Sequence, residues 1–218
     1  LSLISHTNIG KTTLARTLLR REIGRVADRE HVTESSEAFT LIETAGATLR
    51  LWDTPGFGNL IPLMRRLRAE NNPIGWFLHR VWDRLLDRPL YCGQQAARNV
   101  RDQADVVLYL VNAAEDPAHA GYVEPELELL GWMARPVLIV LYRVGDADEQ
   151  RLVPRWRELA ERHPVIRDVL PLDAFARCWL HESRDFERVV PLLPDDKQAA
   201  MSELASARDA RKGQSFAE

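Results

Sequence analysis

Cysteine is almost missing from this chain: Cys92 and Cys178 stand far apart in 218 residues, in no C-x-x-C spacing. That excludes a disulfide framework and a cysteine zinc site, and both thiols read as core residues in a reducing compartment. No apolar run reaches the about 18–20 residues of a membrane-spanning helix, and no signal peptide is recognisable. Strong charge of one sign is absent as well. The 29 basic and 32 acidic residues leave a net charge of −3, which argues against a dedicated nucleic-acid binder. His31, His79, His119, His163 and His181 form no metal-ligand spacing. No Ser/His/Asp order or carboxylate pair points to triad or paired-acid hydrolysis, and there is no internal repeat or low-complexity segment.

What is present is enough apolar residue, 45 %, for one ordinary domain with an appendage. Strand-like and helix-like segments alternate. Leu1-Ser2-Leu3-Ile4 is an apolar stub that reads as a strand. Phe39–Glu43 and Ala47–Trp52 read as two short strands joined by a hairpin at Thr44-Ala45-Gly46. Asp105–Val111 and Pro136–Tyr142 are near-continuous apolar runs, as buried parallel strands are, and Val165–Leu170 follows as a last strand. Helices are expected over Pro125–Met133, Glu149–Arg162 and Ala174–Val189, and a loop over Gly24–Glu37. The fold class expected is α/β: three layers, a mostly parallel sheet and one antiparallel edge strand.

The stretch between Gly56 and Asp105 is longer than one helix and its loops require, so a helical insert is expected at 58–104. Within it Trp76–Leu86 reads as one amphipathic helix, with Leu78, Val81, Trp82 and Leu85 on one face. Such a helix packs on its own domain, or serves a protein partner, self-association or the inner face of a membrane. Residues 1–190 are expected to form the main domain and 191–218 a helical extension. The chain opens on Leu, already within a strand, so the start of that strand is expected to be missing. The polar, alanine-rich stretch from Lys197 is expected to lead into further chain.

The chemistry is concentrated in Ser5-His6-Thr7-Asn8-Ile9-Gly10-Lys11-Thr12-Thr13. Strand, loop, Gly-Lys-Thr and helix is the context of a phosphate-binding loop, G-x-x-x-x-G-K-S/T, here with Ser5 in the first glycine's place. Backbone N–H groups of His6 to Thr13 would surround a polyphosphate, with the positive end of the following helix aimed at it. Lys11 would reach the outer phosphates and the Thr12 hydroxyl would ligate magnesium. Asp53-Thr54-Pro55-Gly56 ends a strand 42 residues after Lys11. A magnesium–triphosphate site needs a carboxylate there, which Asp53 supplies, and Gly56 lets a backbone N–H approach the γ-phosphate. An ordinary turn is the alternative for this second motif.

On these motifs the chain resembles the Era-like, translation-factor-related P-loop GTPases. His-Thr-Asn before Gly-Lys is similar to a poorly characterised bacterial branch with an extended segment after Asp-x-x-Gly. The resemblance implies GTP/GDP with Mg2+, a cytoplasmic bacterial protein with peripheral membrane contact as a further option, and two switch segments. Thr33, in Val26–Thr33, would be the switch threonine on magnesium, with Ser35 and Ser36 as rival hydroxyls. Phe57 stands where Ras-like enzymes carry a water-orienting glutamine. Asn8 occupies the position that holds K+ beside the phosphates in potassium-activated relatives, so Lys11, Asn8 and Thr33 are the catalytic candidates. The guanine motif Asn-Lys-x-Asp is broken: Tyr142 replaces the asparagine and Gly145 the aspartate, leaving Arg143 to stack on the base and Asp146 to reach it. Three readings therefore stand: a GTP-hydrolysing switch, a nucleotide-binding-deficient interaction module, and an ATP-using P-loop protein.

Overall fold

Two of the apolar runs form the middle of the sheet. In the computed structural model, which describes residues 1–7, 9–19, 35–80, 88–142, 146–172 and 188–215, β4 (Val107–Asn112) and β5 (Val137–Tyr142) are buried at every position but the last. They lie beside β1 (Ser2–Ser5) on one side and β6 (Ile166–Leu172) on the other, all parallel. β2 (Glu37–Glu43) and β3 (Thr48–Asp53) form the hairpin, which Thr44 N–H closes by donating to the Ala47 carbonyl. β3 joins β1 in parallel and β2 is the antiparallel edge, giving the order β2-β3-β1-β4-β5-β6. The expected α/β architecture is thus what forms. β3 alternates exposed and buried residues because one of its faces is open to water, and β2 is mostly exposed because it is the edge.

Successive strand residues point to opposite faces, so the sheet separates two cores. One face, through Ile4, Tyr109, Ile139 and Val169, meets α2 (Ile61–Leu67), α3 (Pro73–His79), α4 (Arg88–Gln103), α5 (Val123–Met133) and α6 (Asp146–Glu161). The other, through Leu3, Leu51, Leu108 and Val140, meets α1 (Lys11–Leu19) and α7 (Asp195–Ser215). A 3-10 turn at Val190–Leu192 leads into α7. Cys92 is buried in α4. The expected helix over Ala174–Val189 falls outside the described residues apart from 188–189, and Cys178 lies outside them too.

The single helix expected over Trp76–Leu86 is not what forms. α3 starts at Pro73, where Asn72 accepts from the Gly75 N–H, and it ends at His79, with Arg80 extended at φ −72° and ψ 138°. The reason is a side-chain cap that periodicity does not show. Buried Gln94 of α4 donates through Nε2 to the carbonyls of Phe77 and Arg80, both at 2.6 Å, and Arg98 donates to that of Leu78 at 2.9 Å. These carbonyls are satisfied from outside, so the chain need not continue helically to pair them. Arg80 folds its guanidinium over the Trp76 ring, 5.1 Å from the centroid. Leu78 is buried as expected, whereas Val81, Trp82 and Leu85 lie outside the described residues.

Gln94→Leu keeps the volume but leaves those carbonyls unpaired, so it is expected to destabilise the fold by about 1–3 kcal/mol. A urea midpoint that falls at unchanged slope is the reading to look for; an unchanged midpoint would remove the cap.

Candidate phosphate and metal site

The site is built where β1 and β3 leave the sheet together. Beyond the paired strands, Phe57 N–H donates to the Ser5 carbonyl at 2.9 Å, and Thr7 N–H donates to the Phe57 carbonyl at 3.1 Å. His6 and Phe57 thus form one further parallel bridge. Thr54 Oγ1 donates to the Leu3 carbonyl at 2.6 Å and pins the turn from below. The two loops approach so closely at Gly56 that a Cβ there would lie 3.0 Å from Thr7 Cα. Phe57 is fully buried, and its ring packs with Leu60 and Phe77 around Gly93.

Gly10 has φ +105°, in the region that side chains rarely adopt, and a Cβ on it would meet the Tyr142 ring at 3.1 Å. Its carbonyl accepts from Leu14 N–H and begins α1. Lys11 and Thr12 therefore project from the first turn of a helix whose positive end faces the loop. Both meet Asp53 at the end of β3. Thr12 Oγ1 donates to Oδ2 at 2.7 Å, and Lys11 Nζ lies 3.4 Å from Oδ1. Lys11 and Asp53 are both buried.

A hydroxyl and a carboxylate oxygen held side by side suit a hard, oxygen-seeking divalent cation such as magnesium. The Ser36 hydroxyl supports the same reading. It is buried with no hydrogen-bond partner among the described residues, one position before Glu37, which pairs with Asp53 across β2 and β3. Its rival Ser35 is exposed. Asn8, Thr33 and Arg143 lie outside the described residues, and Asp146 is the first residue of α6. Thr7, Gly10, Lys11, Thr12, Asp53 and Gly56 are brought together, with Ile9 and Thr13 beside them in the loop and the first turn of α1.

His6 turns its imidazole to α5. Its Nδ1 is 2.7 Å from Glu126 Oε1, and its ring stacks on Tyr122 with centroids 4.4 Å apart. Tyr109 of β4 donates to Glu126 Oε2 at 2.7 Å, and Tyr122 donates to Glu115 Oε2 at 2.6 Å. Burial pushes the Glu126 carboxyl up to about 7, against the opposing hydrogen bonds from His6 and Tyr109. Burial also raises the Tyr109 and Tyr122 phenols, with Glu126 adding to the first and Glu115 to the second. Sequence reasoning missed this group entirely. A glutamate in an otherwise apolar helical face at Val123–Met133 was the available signal.

A family model described as 50S ribosome-binding GTPase matches residues 1–143. GTPase Era of Geobacter metallireducens is 25 % identical over 174 residues, covering 79 % of this chain and 48 % of that protein. GTPase Era of Geotalea uraniireducens is 26 % identical over 176 residues, covering 80 % and 49 %. The chain therefore spans about half the length of the curated relatives it matches. Among solved structures, Aquifex aeolicus Era bound to GDP and aluminium fluoride superposes with a TM-score of 0.61 at 18 % identity, over 89 % of this chain and 56 % of that one. Era in complex with MgGDPNP and a 16S ribosomal RNA segment gives 0.60 at 18 % identity, with the same coverage. These likenesses establish the P-loop GTPase fold.

Asp53→Ala would leave the Lys11 ammonium buried without its carboxylate. The expected cost is about 3–5 kcal/mol in the nucleotide-free chain. The Lys11→Met/Asp53→Ala double variant should recover part of it; strictly additive unfolding free energies would show that the two groups do not interact.

Proposed function

Because the chain belongs to the 50S ribosome-binding GTPase family, we propose that it binds GTP with magnesium and hydrolyses it to GDP and phosphate as a molecular switch. The observation that carries this reading is the convergence of Lys11 and Thr12 on Asp53 beneath a loop whose glycine sits at φ +105°. Lys11 exchanges its carboxylate partner for the outer phosphates of the nucleotide. The Thr12 hydroxyl and Asp53 would hold magnesium, with Thr33 or Ser36 completing the set. The metal, when bound, neutralises charge on the β- and γ-phosphate oxygens. Gly56 offers its N–H to the γ-phosphate, so loss of that group removes one hold on the turn that follows Asp53.

No side chain is proposed as a general base. Phe57 is sealed in the core and does not orient water. Hydrolysis then rests on positioning and charge neutralisation, with Asn8 proposed to hold a potassium ion beside the phosphates. The proposed setting is the bacterial cytoplasm. Among the described residues no helix is long and apolar enough to cross a membrane. The helical segment at 58–104 is the surface proposed for a protein partner, a second copy or a peripheral membrane contact.

Tyr142 favours a second reading. It stands where the guanine motif has asparagine, and its ring lies against Gly10. The alternative proposed on this departure is a P-loop protein that uses ATP or serves as an interaction module.

Binding of GTP, GDP and ATP with magnesium separates these readings. The switch predicts micromolar or tighter GDP and GTP, and weaker ATP. Lys11→Ala should weaken binding about 10–100-fold through loss of charge-assisted hydrogen bonds. Equal affinity for ATP and GTP would remove the guanine claim, and no binding with Lys11→Ala indifferent would leave the interaction module. Phosphate release should be faster in potassium than in sodium; equal rates would end the role of Asn8.

A further inference from the structure

Glu126 is fully buried on α5, yet no part of the phosphate and metal site uses it. A carboxyl in such a place is costly unless each oxygen is paired. Here the two partners come from different elements: His6 from the phosphate-binding loop and Tyr109 from β4. His6 is also the residue whose backbone bridges to Phe57, so the imidazole is attached to the point where the two loops of the site are joined. α5 in turn packs against α2, α3 and α4. Two positions beyond Glu126, Glu128 receives a two-pronged hydrogen bond from Arg68, the C-terminal cap of α2. A continuous path of bonded groups thus runs from the phosphate loop through α5 to the insert.

Resting on the reading that this loop binds nucleotide, we propose that Glu126 is a positioning residue, which clamps the phosphate-binding loop to α5 through its hydrogen bond to His6. The two groups lie 2.7 Å apart. Once the carboxyl loses its proton, a buried negative charge remains and is costly there. The groups that face Glu126 are His6 from the loop, Tyr109 from β4 and Tyr122 from the turn before α5, with Glu115 beyond Tyr122. Among the described residues in this set only His6 can carry positive charge. Burial is the main cause that pushes the carboxyl up to about 7. Its folded value lies above the unfolded one, so its stabilising proton is held at low pH and lost as pH rises through neutrality. The clamp therefore slackens above about pH 7.

The test is GDP affinity with magnesium across pH 6.5–8.5 for the chain, Glu126→Gln and Glu126→Ala. The chain is expected to lose roughly 10-fold over this range, one pKa unit being a factor of ten. Glu126→Gln, which keeps the shape and has no proton to lose, should flatten the profile, and Glu126→Ala should bind weakly throughout. Parallel affinity profiles for the chain and Glu126→Gln overturn the proposal. Should no nucleotide bind at any pH, the proposed function fails by itself. The clamp then stands if amide exchange of residues 5–12 is faster in Glu126→Ala, and falls if it is unchanged.

Discussion

The pair of backbone hydrogen bonds at Phe57 is the constraint on which the site depends. One runs to the Ser5 carbonyl and the other comes from the Thr7 N–H, so the parallel pairing of β1 and β3 is carried past the end of the sheet. Two loops that leave a sheet separately would each have their own freedom. Joined this way they move as one, and Asp53 is fixed beneath Lys11 and Thr12. The Phe57 ring, sealed between Leu60 and Phe77, anchors the joint in the core. This accounts for a hydrophobic residue where a water-orienting glutamine stands in Ras-like enzymes. A polar side chain at a fully buried position would need partners that this core does not provide. Gly56 follows from the same constraint, because any side chain there would push against the Thr7 backbone.

Electrostatics divides the site in the same way. Lys11, Asp53 and Glu126 are the charged residues buried among the described positions, and two of the three are paired with each other. Lys11 and Asp53 compensate one another across 3.4 Å, which offsets part of the cost of burying both charges. Glu126 is bonded instead by the His6 ring and the Tyr109 hydroxyl. The loop and the helix start are thus held at two separate points, by Lys11 on Asp53 and by His6 on Glu126.

How far the sequence carries depends on whether a feature is local. The strands were legible because continuous apolar runs and a short hairpin turn leave direct marks, and β4, β5 and β6 begin at Val107, Val137 and Ile166, one or two residues after the expected Asp105, Pro136 and Val165. The meeting of Lys11 and Thr12 with Asp53, and of Gly56 with Thr7, follows the motif spacing around one strand–loop–helix. The end of α3 was not legible, since it depends on Gln94 reaching from another helix. Nor was the His6–Glu126 contact, whose members lie 120 positions apart and belong to no repeating pattern. The buried state of Phe57 was only half legible: its apolar character was plain, but its place in the core is set by tertiary packing.

Tyr142 shows how a broken motif can keep part of its mechanical task. The expected asparagine would lie at the end of β5 beside the phosphate loop; the tyrosine lies there too, with its ring against Gly10. Gly10 must take a positive φ for the loop to turn, and the ring fills the space that a side chain at that position would need. The loop is thus held from three directions: by Phe57 from β3, by Glu126 from α5 and by Tyr142 from β5. The contact with Gly10 asks only for a flat ring at the end of β5, so the departure from the guanine motif at Tyr142 coexists with a loop in which Lys11 meets Asp53.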